Sequence, residues 1–282
     1  MATVEMPGVV DRHVHLGLVD PVPLRGSSVV EVHDLGWSLE PALAWRRASQ
    51  GPLIRLAGPF LTPPGGYPKG RVWAPDSAVR EIVDREAARA AVGEAVARSL
   101  DMVKVVLHGA TSPFGPGVLD TIVRGAHDAA LPVVAHVEGI GQSELALRSG
   151  VDVFAHAPWT ERLDDALIGA IARRCIWIST LAIHAGEGRR IAEDNAGRFV
   201  AAGGRLRYGT DLGNGDGPVG VRRDEVLALG AIGLSGPALV AVLTGHVGGA
   251  VLPQRAVVGV GRMPTDPAGI ADWYLAARPA IV

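Results

Sequence analysis

Eight short apolar runs recur along the 282 residues, and their spacing restricts the possible folds more than any other feature. They are Val9–His15, Val29–His33, Leu53–Leu61, Met102–Leu107, Pro132–His136, Val153–His156, Cys175–Thr180 and Arg205–Asp211. Helix-period patterns lie between them at Leu39–Ala48, Ser77–Ser99, Val118–Ala129, Gln142–Arg148, Leu163–Arg173 and Arg189–Ala202. Arg222–Leu229 and Pro237–Thr244 follow the last run. Only the first run lacks a helix after it, because Leu18–Arg25 holds two prolines and reads as loop. Several runs, such as Val103-Lys104-Val105-Val106-Leu107, are apolar on nearly every residue. Strands buried on both faces read this way, and helices covering both faces of a parallel sheet cause such burial. Eight strand–helix units closing on themselves predict an α/β fold, a (β/α)₈ TIM-type barrel. An open doubly wound sheet is the alternative. The polar residues favour the barrel, since they stand at the C-terminal ends of many different strands, which in a barrel face one mouth.

The bulk numbers close off other classes. A hydrophobic fraction of 48% suits a chain with one large core. A net charge of −2 gives no electrostatic case for nucleic acid or an anionic membrane as a partner. No signal peptide is visible, and no apolar run approaches the ~20 residues that span a bilayer. Cys175 is the only cysteine, which excludes an intrachain disulfide framework and any multi-cysteine zinc site. A reducing cytoplasm is the expected compartment.

Six side chains stand at or just past expected strand ends. His13 and His15 belong to the first strand, and residues two apart on a strand share a side. Lys104 lies on the fourth, His136 on the fifth, His156 on the sixth and Asp211 on the eighth. Each alone has a plain reading. A strand-end histidine is commonly a satisfied polar group, Asp211 could be a turn residue, and Lys104 could pair with a carboxylate. Four histidines, a lysine and an aspartate facing one mouth are a different matter, because imidazole and carboxylate are the ligands of divalent transition metals.

With these residues in this order, the chain resembles the amidohydrolase superfamily of metal-dependent hydrolases. The matching pieces are Gly8-Val9-Val10-Asp11-Arg12-His13-Val14-His15, Val103-Lys104-Val105, Val134-Ala135-His136, Gly150-Val151-Asp152-Val153-Phe154-Ala155-His156 and Tyr208-Gly209-Thr210-Asp211. The loop Ala57-Gly58-Pro59-Phe60-Leu61-Thr62-Pro63-Pro64-Gly65-Gly66 is similar to one in the branch related to imidazolonepropionase and prolidase. The resemblance implies that His13, His15 and Asp211 hold one divalent metal and that His136 and His156 hold a second. It implies zinc first, with manganese, iron or cobalt as alternatives, and a CO₂-derived carbamate on Lys104 that bridges the two. It further implies a metal-bridging hydroxide that attacks a C–N bond of a cyclic amide, N-acyl or peptide-like small molecule. Asp211 is then the catalytic proton carrier. A lactonase or esterase with the same centre, a mononuclear deaminase with Glu138 as proton shuttle, and a non-catalytic metal-containing binding protein are the competing readings.

Three departures from the family accompany the match. Few residues precede the first barrel strand, so the usual accessory β-sandwich is expected to be absent or strongly reduced. Residues 1–252 are then the barrel, and 253–282 a tail packing on it, a candidate sandwich remnant. Apolar surface left uncovered would be buried in a homo-oligomer. His108 stands where relatives carry a small hydroxyl residue, and His184 lies near the rim. With Tyr67 in the long proline- and glycine-rich loop, these are the candidate substrate contacts. Lys69 and Arg71 in that loop either steer an anionic substrate or keep the loop solvated. His33, His127 and His246 read as structural or solvent-facing.

Overall fold

The computed structural model describes residues 2–246 and 255–280. The expected boundary at 252/253 lies outside the described residues.

Two parallel sheets carry the alternation. The smaller joins β2 (Val9–Val14), β3 (Val29–Asp34) and β4 (Leu53–Leu56) in that order. The larger has seven strands: β5 (Phe60–Thr62), β6 (Val79–Glu81), β7 (Val103–His108), β8 (Val133–Glu138), β9 (Val153–Phe154), β10 (Ile176–Ile178) and β11 (Arg205–Arg207). Its order is β11-β10-β9-β8-β7-β5-β6. The expected third strand, Leu53–Leu61, is therefore two pieces broken at Ala57-Gly58-Pro59. Its first half pairs with β3 and its second half with β7. Gly58 takes φ +72°, which glycine adopts without a Cβ clash, and Pro59 donates no hydrogen bond to a ladder. Backbone bonds run between the sheets at both margins. Arg12 N–H donates to Tyr208 O, Leu212 N–H to His13 O and His15 N–H to Leu212 O; at the other margin Asp101 N–H donates to Leu56 O. This α/β arrangement fits a TIM-type barrel.

Helices α1 (Leu39–Ala48), α2 (Arg85–Ala97), α3 (Val118–Asp128), α4 (Gln142–Arg148), α5 (Asp165–Ala172), α6 (Gly186–Ala201), α7 (Arg223–Ala231) and α8 (Gly236–Thr244) follow the expected pattern. The second starts eight residues later than its periodicity suggests. Residues 76–81 form a short turn and the edge strand β6, and Asp84 caps the helix by accepting from Ala87 N–H at 2.8 Å.

Strand alternation decides which side chains reach the site. On β7, Val103, Val105 and Leu107 pack outward in the main core with α3, while Met102, just before the strand, joins a small inner cluster with Val134, Ala155 and Ile178. Lys104, two residues after Met102, shares its inward face, and His136 shares that of Val134. Outside the sheet, Trp177 stacks on Phe199 of α6 at 4.0 Å, where full burial of each ring contributes about 1.5–3 kcal/mol.

A third sheet joins the two ends of the chain, and its N-terminal strand was not expected from the sequence. β1 (Thr3–Pro7) pairs antiparallel with β12 (Ala256–Val260), which also pairs with β13 (Arg278–Pro279); α9 (Pro267–Ala276) lies between the last two in the chain. Among the described residues no helix is long and apolar enough to cross a membrane.

Candidate metal centre and active-site cavity

His13, near the end of β2, and His15, just after it, project toward Asp211, four residues past β11. His13 Nε2 lies 3.1 Å and His15 Nε2 3.3 Å from Asp211 Oδ1, and the two Nε2 atoms are 3.3 Å apart. The other ring nitrogens are already committed. His13 Nδ1 lies 2.8 Å from Ala155 O, and His15 Nδ1 lies 3.1 Å from Gly36 O. A carbonyl only accepts, so each Nδ1 carries the proton and each Nε2 presents a lone pair to the cavity. Burial holds His13 neutral, its pKa well below the ordinary value. Two lone pairs and a carboxylate oxygen thus converge at hydrogen-bond distances with no proton assigned between them. A divalent cation satisfies that donor set, so these residues fit one.

Asp211 is built for its position. Its φ of +52° is a left-handed conformation that few side chains adopt, and Asn214 Nδ2 donates to its Oδ2 at 2.9 Å. Asp11, buried beneath, ties the two strands together. Its carboxylate accepts from His13 N–H, Thr210 N–H and the Thr210 hydroxyl at 2.6–3.1 Å.

His156 completes a group with His13 and Asp211 whose ligand atoms all lie within 4.8 Å of one another and could hold a metal ion. Its Nδ1 pairs with Thr180 Oγ1 at 2.9 Å, and Thr180 itself takes φ +42°, unusual for a β-branched residue. His136 donates from Nε2 to Glu138 Oε2 at 2.9 Å, leaving its Nδ1 unprotonated. Lys104 is 1% exposed, and no carboxylate among the described residues forms an ion pair with it. Burial lowers its ammonium pKa to about 7, so a large neutral fraction exists at physiological pH.

These side chains line one cavity of about 420 Å³. Of the candidate substrate contacts, Tyr67 and His184 line it. His108 stands beside it, stacked on Tyr67 at 5.4 Å and 3.4 Å from Glu138 Oε1, and faces a neighbouring cavity. Burial pushes the Tyr67 hydroxyl up to about 12 and lowers His184 to about 4. His184 stacks on Trp159 at 4.6 Å, and its Nε2 is buried without a partner. His33 pairs with Glu31 and His127 with Asp152, away from the cavity.

Sequence reasoning missed the aromatic wall of Phe60, Trp73 and Trp159. Trp159 packs edge-on against both His136 and His156. Its signal was its place three residues after His156, and that of Trp73 was the unusual length of the loop that carries it.

No family model and no curated protein sequence matches the chain. Solved structures do. An amidohydrolase superimposes with a TM-score of 0.72 at 20% identity, over 96% of this chain and 82% of that one. A molinate hydrolase gives 0.71 at 16% identity, over 98% and 81%. A Xaa-Pro dipeptidase with methionine bound in its active site gives 0.68 at 19% identity, over 86% and 74%. At such identities likeness speaks for architecture, and the chain shares its fold with these amidohydrolase-type proteins.

Proposed function

We propose that this chain is a metal-dependent hydrolase of the amidohydrolase superfamily that cleaves a C–N bond in a small molecule at a two-metal centre. The observation that carries the reading is the convergence of His13 Nε2, His15 Nε2 and Asp211 Oδ1 within 3.1–3.3 Å of one another, with both histidines fixed from behind by backbone carbonyls. In this reading the strands close a barrel, and its mouth is the cavity. His13, His15 and Asp211 hold one divalent ion, His136 and His156 hold a second, and Lys104 serves both once carboxylated. Zinc suits these donors, as do manganese, iron and cobalt.

The lysine reaction balances simply. The neutral amine of Lys104 attacks CO₂, a nitrogen–carbon bond forms, and one proton is released, leaving an anionic carbamate. Bound ions supply an activated water and polarise a carbonyl. Asp211 is placed to accept a proton at its carboxylate and to deliver it to the departing nitrogen, a transfer that would contribute ~10²–10⁴-fold. Asn214 holds Oδ2, so Oδ1 stays turned to the cavity. Phe60, Trp73 and Trp159 keep bulk water from the reacting carbonyl.

A mononuclear centre acting as a deaminase is the second reading, favoured by the compact group of His13, His156 and Asp211. Against it, Glu138, which would shuttle the proton, is already engaged by His136. The test is a panel of amides, carbamates, ureas and esters assayed with metal-loaded protein. We expect hydrolysis that chelation abolishes and that Asp211→Asn reduces at least ~10²-fold with its fold intact. Undiminished turnover in that variant, or none across the panel from fully loaded protein, contradicts the proposal.

A further inference from the structure

The cavity wall is poor in cationic side chains, Lys104 being the one lysine or arginine that lines it among the described residues. Apart from histidines, the ionisable side chains lining the cavity, among the described residues, are Lys104, Glu138, Asp211 and Tyr67. Val247–Gln254, outside the described residues, contains no charged side chain in its sequence. The remainder of the wall is mainly aromatic and aliphatic, with Phe60, Trp73, Trp159 and Ile183.

Two of the nearby cations are paired with carboxylates, and the third, Arg71, lies outside the cavity lining. Lys69 pairs with Asp76 at 2.8 Å and approaches Glu81, and Arg189 pairs with Glu193 at 2.7 Å. Arg71 is exposed, with its guanidinium 5.6 Å from the centre of the Tyr67 ring. Glu138 faces the cavity with its charge partly offset by His136 and His108, so it opposes an anion without calling for a cation. Against the wall of Phe60, Trp73, Trp159 and Ile183, away from the residues that would hold the ions, a desolvated substrate carboxylate would have no cationic side chain in the lining to pair with, which is costly.

We infer that the enzyme acts on uncharged N-substituted carbonyl compounds (amides, carbamates or ureas bearing an apolar or aromatic substituent) and discriminates against substrates with a carboxylate next to the scissile bond, as free dipeptides and N-acyl amino acids have. The inference rests on the proposed function, because Lys104 is available as a cation unless it is spent as a metal-serving carbamate.

The test uses metal-loaded full-length protein and two compounds, N-acetyl-phenylalanine and its methyl amide, in which the carboxylate is replaced by a neutral amide, and follows release of acetate, which reports the same scissile bond in both. The neutral compound should show a kcat/KM at least ~10-fold higher, the difference residing in KM. Arg71→Ala should leave that preference unchanged. Equal or better hydrolysis of the acid overturns the inference, and loss of the acid's turnover in Arg71→Ala would then assign its recognition to Arg71. If neither compound turns over, the panel of amides, carbamates, ureas and esters decides the proposed function, and binding decides the inference. Quenching of tryptophan fluorescence should report tighter binding of the amide, and Trp159→Phe should diminish the signal. Tighter binding of the acid overturns the inference on this readout also.

Discussion

At the residue scale, the protein spends several buried groups on holding a few atoms still. Glu225 is one that takes no part in the proposed chemistry. It accepts from Leu181 and Ala182 N–H, the turn that follows Thr180 and leads to His184. Burial pushes its carboxyl up to about 7, from 4.5. Between those values the native state keeps a proton that the unfolded chain has released, so stability falls as pH rises through that window. The interval corresponds to a loss of about 3 kcal/mol, fully developed above pH 7. Denaturant titrations at pH 5 and pH 7.5 should therefore show a steeper loss in wild type than in Glu225→Gln; identical slopes would refute this. The ligand candidates at this scale were legible because strand ends are. His13, His15, His136, His156 and Asp211 each stand late in or just past an apolar run whose end can be read from composition, whereas Lys104 is the second residue of β7 and stood out as a lysine inside such a run. Glu225 was not legible, since a helical glutamate ordinarily faces solvent and only the tertiary fold buries this one. Trp73 and Asn214 lie in loops, where no periodicity reports which way a side chain turns.

At the element scale, strand ends must approach closely for the cluster to form. Gly209 is the clearest case. A Cβ there would stand 2.3 Å from Ile178 Cγ2 and 3.1 Å from the Cβ and backbone nitrogen of His13. Gly209→Ala should cost about 1–3 kcal/mol in thermal or denaturant unfolding. It should also weaken metal binding, because His13 must move. Asp84→Ala supplies the contrast. It removes the α2 cap far from the centre, so it should cost about 1 kcal/mol and leave metal affinity as it is. Equal metal affinity in both variants would detach the strand packing from the centre. The strand–helix alternation was readable because it is local. The β1–β12 pairing joins Thr3–Pro7 to residues some 250 positions later, and five residues with one proline give no strand signal that a reader would separate from a tail.

At the scale of the whole molecule, fold and metal should be linked thermodynamically. His13 and His15 come from the end of β2 and Asp211 follows β11, strands that meet at one junction of the two sheets, so an ion held by these residues would also tie those strands together. Metal at 100 times its Kd should stabilise the native state by about 2.7 kcal/mol, seen as a rise in Tm that chelation reverses. The three-stranded sheet made from both chain ends is joined to the same core, with Val257 and the α9 residues Trp273 and Tyr274 buried in it. The central claim is a two-metal centre that depends on a modified lysine, and metal counting tests it most directly. Elemental analysis of wild-type protein loaded in the presence of bicarbonate should find two divalent ions per chain. Lys104→Ala should bind one or fewer, and short carboxylates such as acetate or propionate should restore the second. Two ions bound by Lys104→Ala without any carboxylate, or a single ion in fully loaded wild type, would contradict the account.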